Sequence, residues 1–390
     1  MAVAAVAEPQ PDIGKKIEET REASSGQAPY RVSVDEYRSF RQNGFVAVRG
    51  LVSEDEIAEL RAHTDDLMQG RLPEQQSQMS PRDVTRDTGV TGQGLEAPPA
   101  HLSPVEKAQY FLRIHMLHRK LELHERYLLH PRVLDVLEAL IGPDLLALQT
   151  MLFLKPPGKP GQGWHQDSYY IPTHPDSLCG AWIAIDDCDE LNGAMWMAAG
   201  SGTEPVYPPT SGYGHGDRRL RDITHVGGVS DPDDAANDLA RIADRYPQLL
   251  VTAKAGDVVF FNGHVLHRSK ANFTADRFRR AFVSHYCNAR SFTQWGADSP
   301  PNDPHASPAI DPITRMTNGS HILARGDTHL PFARPRFGTP CAALLSPEER
   351  RRQSEFAAAS MADMDSGMMD TAPADPYAEH EDNDTDTGGY

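Results

Sequence analysis

The chain has 390 residues, 39% of them hydrophobic, enough to bury a full core in one large domain with extensions. Its net charge of −17 gathers at the end, where Asp363, Asp365, Asp370, Asp375, Glu379, Glu381, Asp382, Asp384 and Asp386 follow Phe356 without a lysine or arginine. The body is mildly acidic and carries no basic stripe, so a nucleic-acid partner is not expected. No segment approaches membrane-spanning length, and the start, Met1 to Glu8, lacks the basic flank and apolar run of a signal peptide. Four cysteines (Cys179, Cys188, Cys287 and Cys341) without short paired spacing suit a reducing compartment, and a cytoplasmic protein is expected.

In chain order, residues 1 to about 30 are rich in Ala, Glu, Pro and Ser and are expected to be disordered, because they hold too little apolar surface to offset ordering entropy. Ser33 with Glu36 forms a capping-box pattern for a helix ending at Gly44, followed by a strand Phe45-Val46-Ala47-Val48. Ser53 with Glu56 repeats the signal, with Ile57, Leu60, Thr64 and Leu67 on one face and Gly70 as a stop. Residues 71 to 104 show no period and read as loop. Pro131 begins a helix carrying Val133, Leu134, Leu137 and Leu140, with Gly142 beyond its end. From Leu148 onward strands and turns dominate, interrupted between about 207 and 250 by an insertion with a short helical piece near Asp234 to Tyr246. Helices first and strands after them point to a mainly β fold with flanking helices: a double-stranded β-helix, jelly-roll or cupin-like barrel, over residues 31 to 345.

The acidic stretch 357 to 390 has no amphipathic period and ends in like charges, so it is expected to be a disordered tail. A chain ending at Phe356 should melt within a few degrees of the full-length protein. A large loss of stability on truncation would place the boundary elsewhere.

The chemistry begins at Trp164-His165-Gln166-Asp167-Ser168-Tyr169. In an extended strand His165 and Asp167 point the same way and Gln166 the other. His-x-Asp alone is common in surface turns. About a hundred residues later, however, Gly263-His264-Val265-Leu266-His267-Arg268-Ser269 supplies a second histidine. Two imidazoles and one carboxylate on one side of an ion leave three positions open, the arrangement of non-haem Fe(II) oxygenases. His264 and His267, three apart, cannot both face inward on one regular strand.

The flanks sharpen this reading. An apolar strand Gln149 to Leu154 runs into Lys155-Pro156-Pro157-Gly158. Ala181-Trp182-Ile183-Ala184, Asn192-Gly193-Ala194 and Gly200-Ser201 follow, then Gly256-Asp257-Val258-Val259-Phe260-Phe261, Ser269, Asn272 and Phe278-Arg279-Arg280-Ala281-Phe282. Over roughly residues 33 to 290 this series resembles the phytanoyl-CoA hydroxylase (PhyH) family of Fe(II)- and 2-oxoglutarate-dependent dioxygenases.

The resemblance implies His165, Asp167 and His267 as metal ligands, since the family's distal histidine precedes a serine by two residues and an asparagine by about five, as His267 does here. It also implies Fe(II), 2-oxoglutarate and O2 as cofactor and co-substrates, with succinate and CO2 released as a C–H bond of a small-molecule substrate is hydroxylated. Asp167 stands where halogenating relatives carry a small residue, which favours hydroxylation. For the far carboxylate of 2-oxoglutarate the family's Phe-Arg-basic-Ala context selects Arg279 over Arg280, which alternation places on the opposite face. Ser269 is expected to donate to the same carboxylate, Met151 and Trp182 to line the pocket, and Arg113 to fall near the family's co-substrate lysine, unless it is an exposed helical arginine. The chain departs from the family pattern at Gly202, where relatives carry histidine, and in the 207–250 insertion, a candidate lid that contains Arg218, Arg219 and Arg221. Both departures concern the substrate side, so phytanoyl-CoA is not carried over. An acyl thioester or secondary metabolite is the expected substrate, with a free amino acid as the alternative and a metal-binding sensor as a non-enzymatic one.

Overall fold

The computed structural model describes residues 28–76, 83–85, 89–93, 97–207, 237–291 and 321–328, with positions 95, 220, 222, 223, 293, 333, 335, 337 and 339. The chain divides into two units, 1–344 and 345–390, and every described residue belongs to the first. Most of the N-terminal extension, most of the 207–250 insertion with Arg218, Arg219 and Arg221, and the acidic tail lie outside the described residues.

The helix signals hold where they were read. At the start of α1 (Val34–Asn43) the Ser33 hydroxyl accepts from the Glu36 N–H at 3.2 Å, while Glu36 accepts from the Ser33 N–H at 2.8 Å. Each such cap stabilises by about 1 kcal/mol. Gly44, at φ +86°, ends the helix and turns the chain into β1 (Phe45–Val48). The second box opens α2 (Glu54–Gln69), whose Ile57, Leu60, Thr64 and Leu67 are all buried. The segment 71 to 104 is not only loop: it carries a 3₁₀ turn (Pro73–Gln76) and the strands β2 (Asp83–Thr85) and β3 (Gly89–Gln93). Strands of three and five residues are too short to display a period.

A third capping box, Ser103 with Glu106, opens the short α3 (Pro104–Ala108) before β4 (Phe111–His115). Next come α4 (Glu122–Leu128), α5 (Pro131–Ile141) and the long β5 (Leu145–Phe153). The chain continues through β6 (Gln162–His165), β7 (Cys179–Ala184), β8 (Met195–Ala198), α6 (Asp238–Ala243), β9 (Gln248–Val251), β10 (Val258–Asn262), β11 (His267–Ser269), β12 (Ala281–Asn288) and β13 (Ile322–Arg325).

These strands form two sheets. The large one runs β1-β10-β7-β12-β5-β4-β3-β2, and β13 pairs the start of β5 while β4 pairs its end. The small one runs β6-β11-β8-β9. All pairs are antiparallel except β3 with β4. The expected barrel is therefore a two-sheet jelly roll: among the described residues no ladder joins the sheets into a closed ring.

Alternation along the strands assigns each face. Val46, Val48, Ile183, Val258, Phe260 and Phe282 pack outward against Leu60 and Leu67 of α2 and Val133 and Leu137 of α5. Their neighbours Phe45, Trp182, Val259, Phe261 and Val283 face inward, onto Met195 and Met197 of β8 and Val251 of β9. Full burial of side chains this size stabilises by roughly 1.5–3 kcal/mol each, so the two interfaces hold the small sheet against a rigid large one. No helix among the described residues is long and apolar enough to cross a membrane.

Candidate metal centre

The inner mouth of the sandwich brings His165, Asp167 and His267 together. β11 pairs β6 with His267 opposite His165, so the two rings stand side by side, with centroids 4.1 Å apart. Asp167 does not sit on the strand, as its spacing from His165 had suggested. β6 ends at His165, and Asp167 is the first residue of a 3₁₀ turn, Asp167–Tyr169, which the N–H groups of Tyr170 and Ile171 close onto the Asp167 carbonyl. Gln166 between them is extended (φ −120°, ψ 130°), so the carboxylate still returns to the histidine side. The Gln166 amide points the other way and donates to the carbonyls of Pro205 and His264 at 3.0 and 2.9 Å.

Both histidines are oriented by their own backbone. His165 Nδ1–H donates to the Gly163 carbonyl at 2.8 Å and His267 Nδ1–H to the Val265 carbonyl at 3.0 Å. Each therefore turns its Nε2 toward Asp167 Oδ1, at 3.7 Å in both cases. All three donor atoms lie within 4.8 Å of one another, and among the described residues no other group of three such side chains does so. Burial, reinforced by His267, pushes the His165 pKa down to about 3 and keeps its imidazole neutral. Burial alone would raise Asp167, but His267 and His285 outweigh it and keep the carboxylate ionised. Two imidazole nitrogens and one carboxylate oxygen are a donor set for a divalent ion.

His264 takes no part in this group. Its Nδ1 meets the Glu204 carbonyl at 2.6 Å and its Nε2 meets Asp176 at 2.9 Å, and the Asp176 hydrogen bond raises its pKa above the ordinary histidine value. A raised folded-state pKa contributes stability fully at acidic pH, and the contribution is lost as pH rises through that value. His264→Ala is thus expected to lower the melting temperature more at about pH 5.5 than at about pH 8.5. Equal losses at both would mean that His264 is neutral in the fold.

An open cleft is lined by Arg113, Lys155 and Arg279 with Leu112, Phe153, Pro160, Gly161 and Gln162, and among the described residues by no carboxylate. Arg279 is 2% exposed and stands over the Trp182 ring at 5.8 Å; burial lowers its pKa to about 10, and its Nε has no hydrogen-bond partner among the described residues. Arg280 faces away, donating to both Asp186 oxygens at 2.7 and 2.8 Å and pairing with Asp65. Trp182 and Met151 lie in one cross-strand row, both paired with Val283. Arg113 is on β4, not on a helix, paired with Phe153. Phe111 and Ile114, three apart and both buried, give this strand a helix-like spacing.

The sequence marks Lys155 only as the start of the turn after β5. It is 3% exposed, and its ammonium donates to Ser269 Oγ at 2.9 Å and to the Lys270 carbonyl at 2.7 Å. Burial first and Arg279 second hold its pKa well below the ordinary lysine value. Ser269 Oγ accepts from Lys155 and from the Gln162 N–H, so these bonds leave its own proton uncommitted. Gly193 makes room for this arrangement: it sits at φ +84°, and a β-carbon there would stand 2.6 Å from the Lys270 carbonyl oxygen and 3.0 Å from the Lys155 ammonium. At Gly202 a β-carbon would come within 2.5 Å of the Asn262 side-chain amide, so the histidine of the family pattern would require Asn262 to move.

Comparison with known proteins gives a consistent result. The sequence pattern of the phytanoyl-CoA dioxygenase (PhyH) family matches residues 40–281. Peroxisomal phytanoyl-CoA dioxygenase of Rattus norvegicus is 28% identical over 261 residues, covering 65% of this chain and 68% of the rat protein. A probable phytanoyl-CoA dioxygenase of Caenorhabditis elegans is 27% identical over 265 residues, covering 66% and 76%. Among solved structures, the non-heme alpha ketoglutarate dependent epimerase SnoN from nogalamycin biosynthesis shares the fold, with TM-score 0.50, 20% identity and coverage of 71% of this chain and 92% of that one.

Proposed function

This chain belongs to the phytanoyl-CoA dioxygenase family and is a dioxygenase, and on that premise we propose that it uses Fe(II) and 2-oxoglutarate to hydroxylate an unactivated C–H bond of a small organic substrate, releasing succinate and CO2. The observation that carries the proposal is the convergence of His165 Nε2, His267 Nε2 and Asp167 Oδ1 on one point, with both Nδ1–H groups already committed to carbonyls. A mixed set of two nitrogens and one oxygen suits Fe(II), and three protein ligands leave positions for exogenous ones, whereas structural zinc is closed by four. The bound iron would supply the activation of O2 and the oxidative decarboxylation of the oxo acid; the rest of the work falls to the chain.

That work is binding and orientation. Arg279 presents a planar fork whose Nε is already desolvated and unpaired, the geometry that a carboxylate meets best. Arg113, Lys155 and Arg279 line one cleft and make it a site for a dicarboxylate. Ser269 lies two residues from His267 on the same face of β11 and can add its hydroxyl to that carboxylate. Trp182, over whose ring Arg279 stands, and Met151 belong to the inner apolar layer, whose surface would exclude water from the reacting atoms. We extend the catalytic domain over residues 31–345, with the 207–250 insertion as a lid over the mouth and 357–390 as an appended tail.

For the substrate we favour an acyl thioester or a secondary metabolite over a free amino acid. A metal-binding sensor is disfavoured, because a sensor needs no second, cation-lined cleft beside its metal. The mammalian relatives are named as peroxisomal proteins, while the expectation for this chain stays cytoplasmic. Succinate release by the iron-loaded protein across acyl-CoA, amino-acid and metabolite panels identifies the substrate. Stimulation by free amino acids alone would reverse that preference.

A further inference from the structure

The carboxylate of Asp167 has a second partner on the large sheet. His285 on β12 is 2% exposed, and its Nε2 lies 2.8 Å from Asp167 Oδ2. An ionised carboxylate can only accept, so the proton is on His285 Nε2. The buried amide N–H of Gln149, directly opposite on β5, donates to His285 Nδ1 at 2.9 Å. Gln149 Oε1 has no partner among the described residues, so no competing bond pulls the amide away. The other oxygen of Asp167, Oδ1, is the one that stands 3.7 Å from both histidine nitrogens.

We propose that His285, braced by Gln149, is the positioning residue of the metal centre: it occupies Asp167 Oδ2 and leaves Oδ1 as the single metal-facing oxygen. This rests on the metal reading of His165, Asp167 and His267. The need for such a device follows from local structure. Asp167 lies beyond the end of β6, on a 3₁₀ turn that does not itself fix the rotation of the carboxylate. His285 and Gln149 lie opposite each other on paired central strands of the large sheet. The relay therefore ties a turn residue to the sheet. It would also keep the carboxylate from chelating through both oxygens, which would close a position that the co-substrates require.

Cobalt(II) titration of the full-length protein, followed by calorimetry and by the d–d absorption band, tests this without turnover. His285→Leu is expected to bind cobalt about 10- to 100-fold more weakly than wild type and with an altered band, the usual effect of losing an outer-shell partner. His285→Gln, which keeps an N–H donor, should recover most of that loss. Gln149→Leu, which leaves the Asp167 contact in place, should weaken binding by a smaller factor, and it carries the test alone if His285→Leu does not fold. Wild-type affinity and band in Gln149→Leu together with His285→Leu, or with it unfolded, would overturn the positioning role while leaving the metal reading intact. Failure of the wild-type protein itself to bind cobalt would overturn that reading and the relay with it.

Discussion

Replacing His165, Asp167 or His267 by alanine is expected to abolish iron binding and turnover together, and each single change should do so nearly as completely as all three. The donor atoms form a set within 4.8 Å, and two residues hold Fe(II) poorly once the third is gone. Removing Asp167 has an added effect, since its negative charge is what offsets the charge of a divalent ion in a buried site. His264→Ala is the internal control: committed to Glu204 and Asp176, it should keep its iron. Iron analysis of the four variants after anaerobic loading checks this. Iron retained in His267→Ala and lost in His264→Ala would mean that the distal ligand is wrongly chosen.

The second large effect is at Arg279. A buried carboxylate that loses the Arg279 guanidinium loses about 3 kcal/mol or more, so Arg279→Ala should raise the KM for 2-oxoglutarate at least about 100-fold while iron stays bound. Arg280→Ala should act differently. Its guanidinium joins β12 to Asp186 and to Asp65 on α2, so its removal should reduce thermal stability and leave KM near the wild-type value. Titration of 2-oxoglutarate against both variants separates the two roles. A larger KM effect at Arg280 would show that the strand faces the other way.

Much of the architecture could be read directly because its signals are local. Ser33 with Glu36 and Ser53 with Glu56 each close a reciprocal pair of hydrogen bonds within four residues, so sequence spacing and structure coincide. The metal group could be read for a different reason: few side-chain types bind metal, and two short segments contain all three. The alternation that separates Arg279 from Arg280 also survived, because each strand residue reverses face.

What was not legible depends on tertiary context. Asp167 looked like a strand residue because nothing in Gln166-Asp167-Ser168 marks the 3₁₀ turn. Arg113 admitted a helical reading because Phe111 and Ile114 are buried three apart. Lys155 before two prolines marks only the turn that ends β5. Only the fold shows that the Lys270 carbonyl and Ser269 Oγ, more than a hundred residues away, hold its ammonium in the cleft. His285 did carry a signal. It shares a face with Arg279, Ala281 and Val283, so an inward Arg279 already places an imidazole inside the sandwich.

The central claim, that the three ligands and the Arg279 cleft form one oxidative site, is tested most directly by oxygen-dependent succinate formation. Iron-loaded wild-type protein supplied with 2-oxoglutarate and O2 should form succinate, slowly without substrate and faster with it, and Asp167→Ala should form none. Stoichiometric iron binding without any O2-dependent succinate from the wild-type protein would contradict the account and leave a metal-binding jelly roll without oxygenase chemistry.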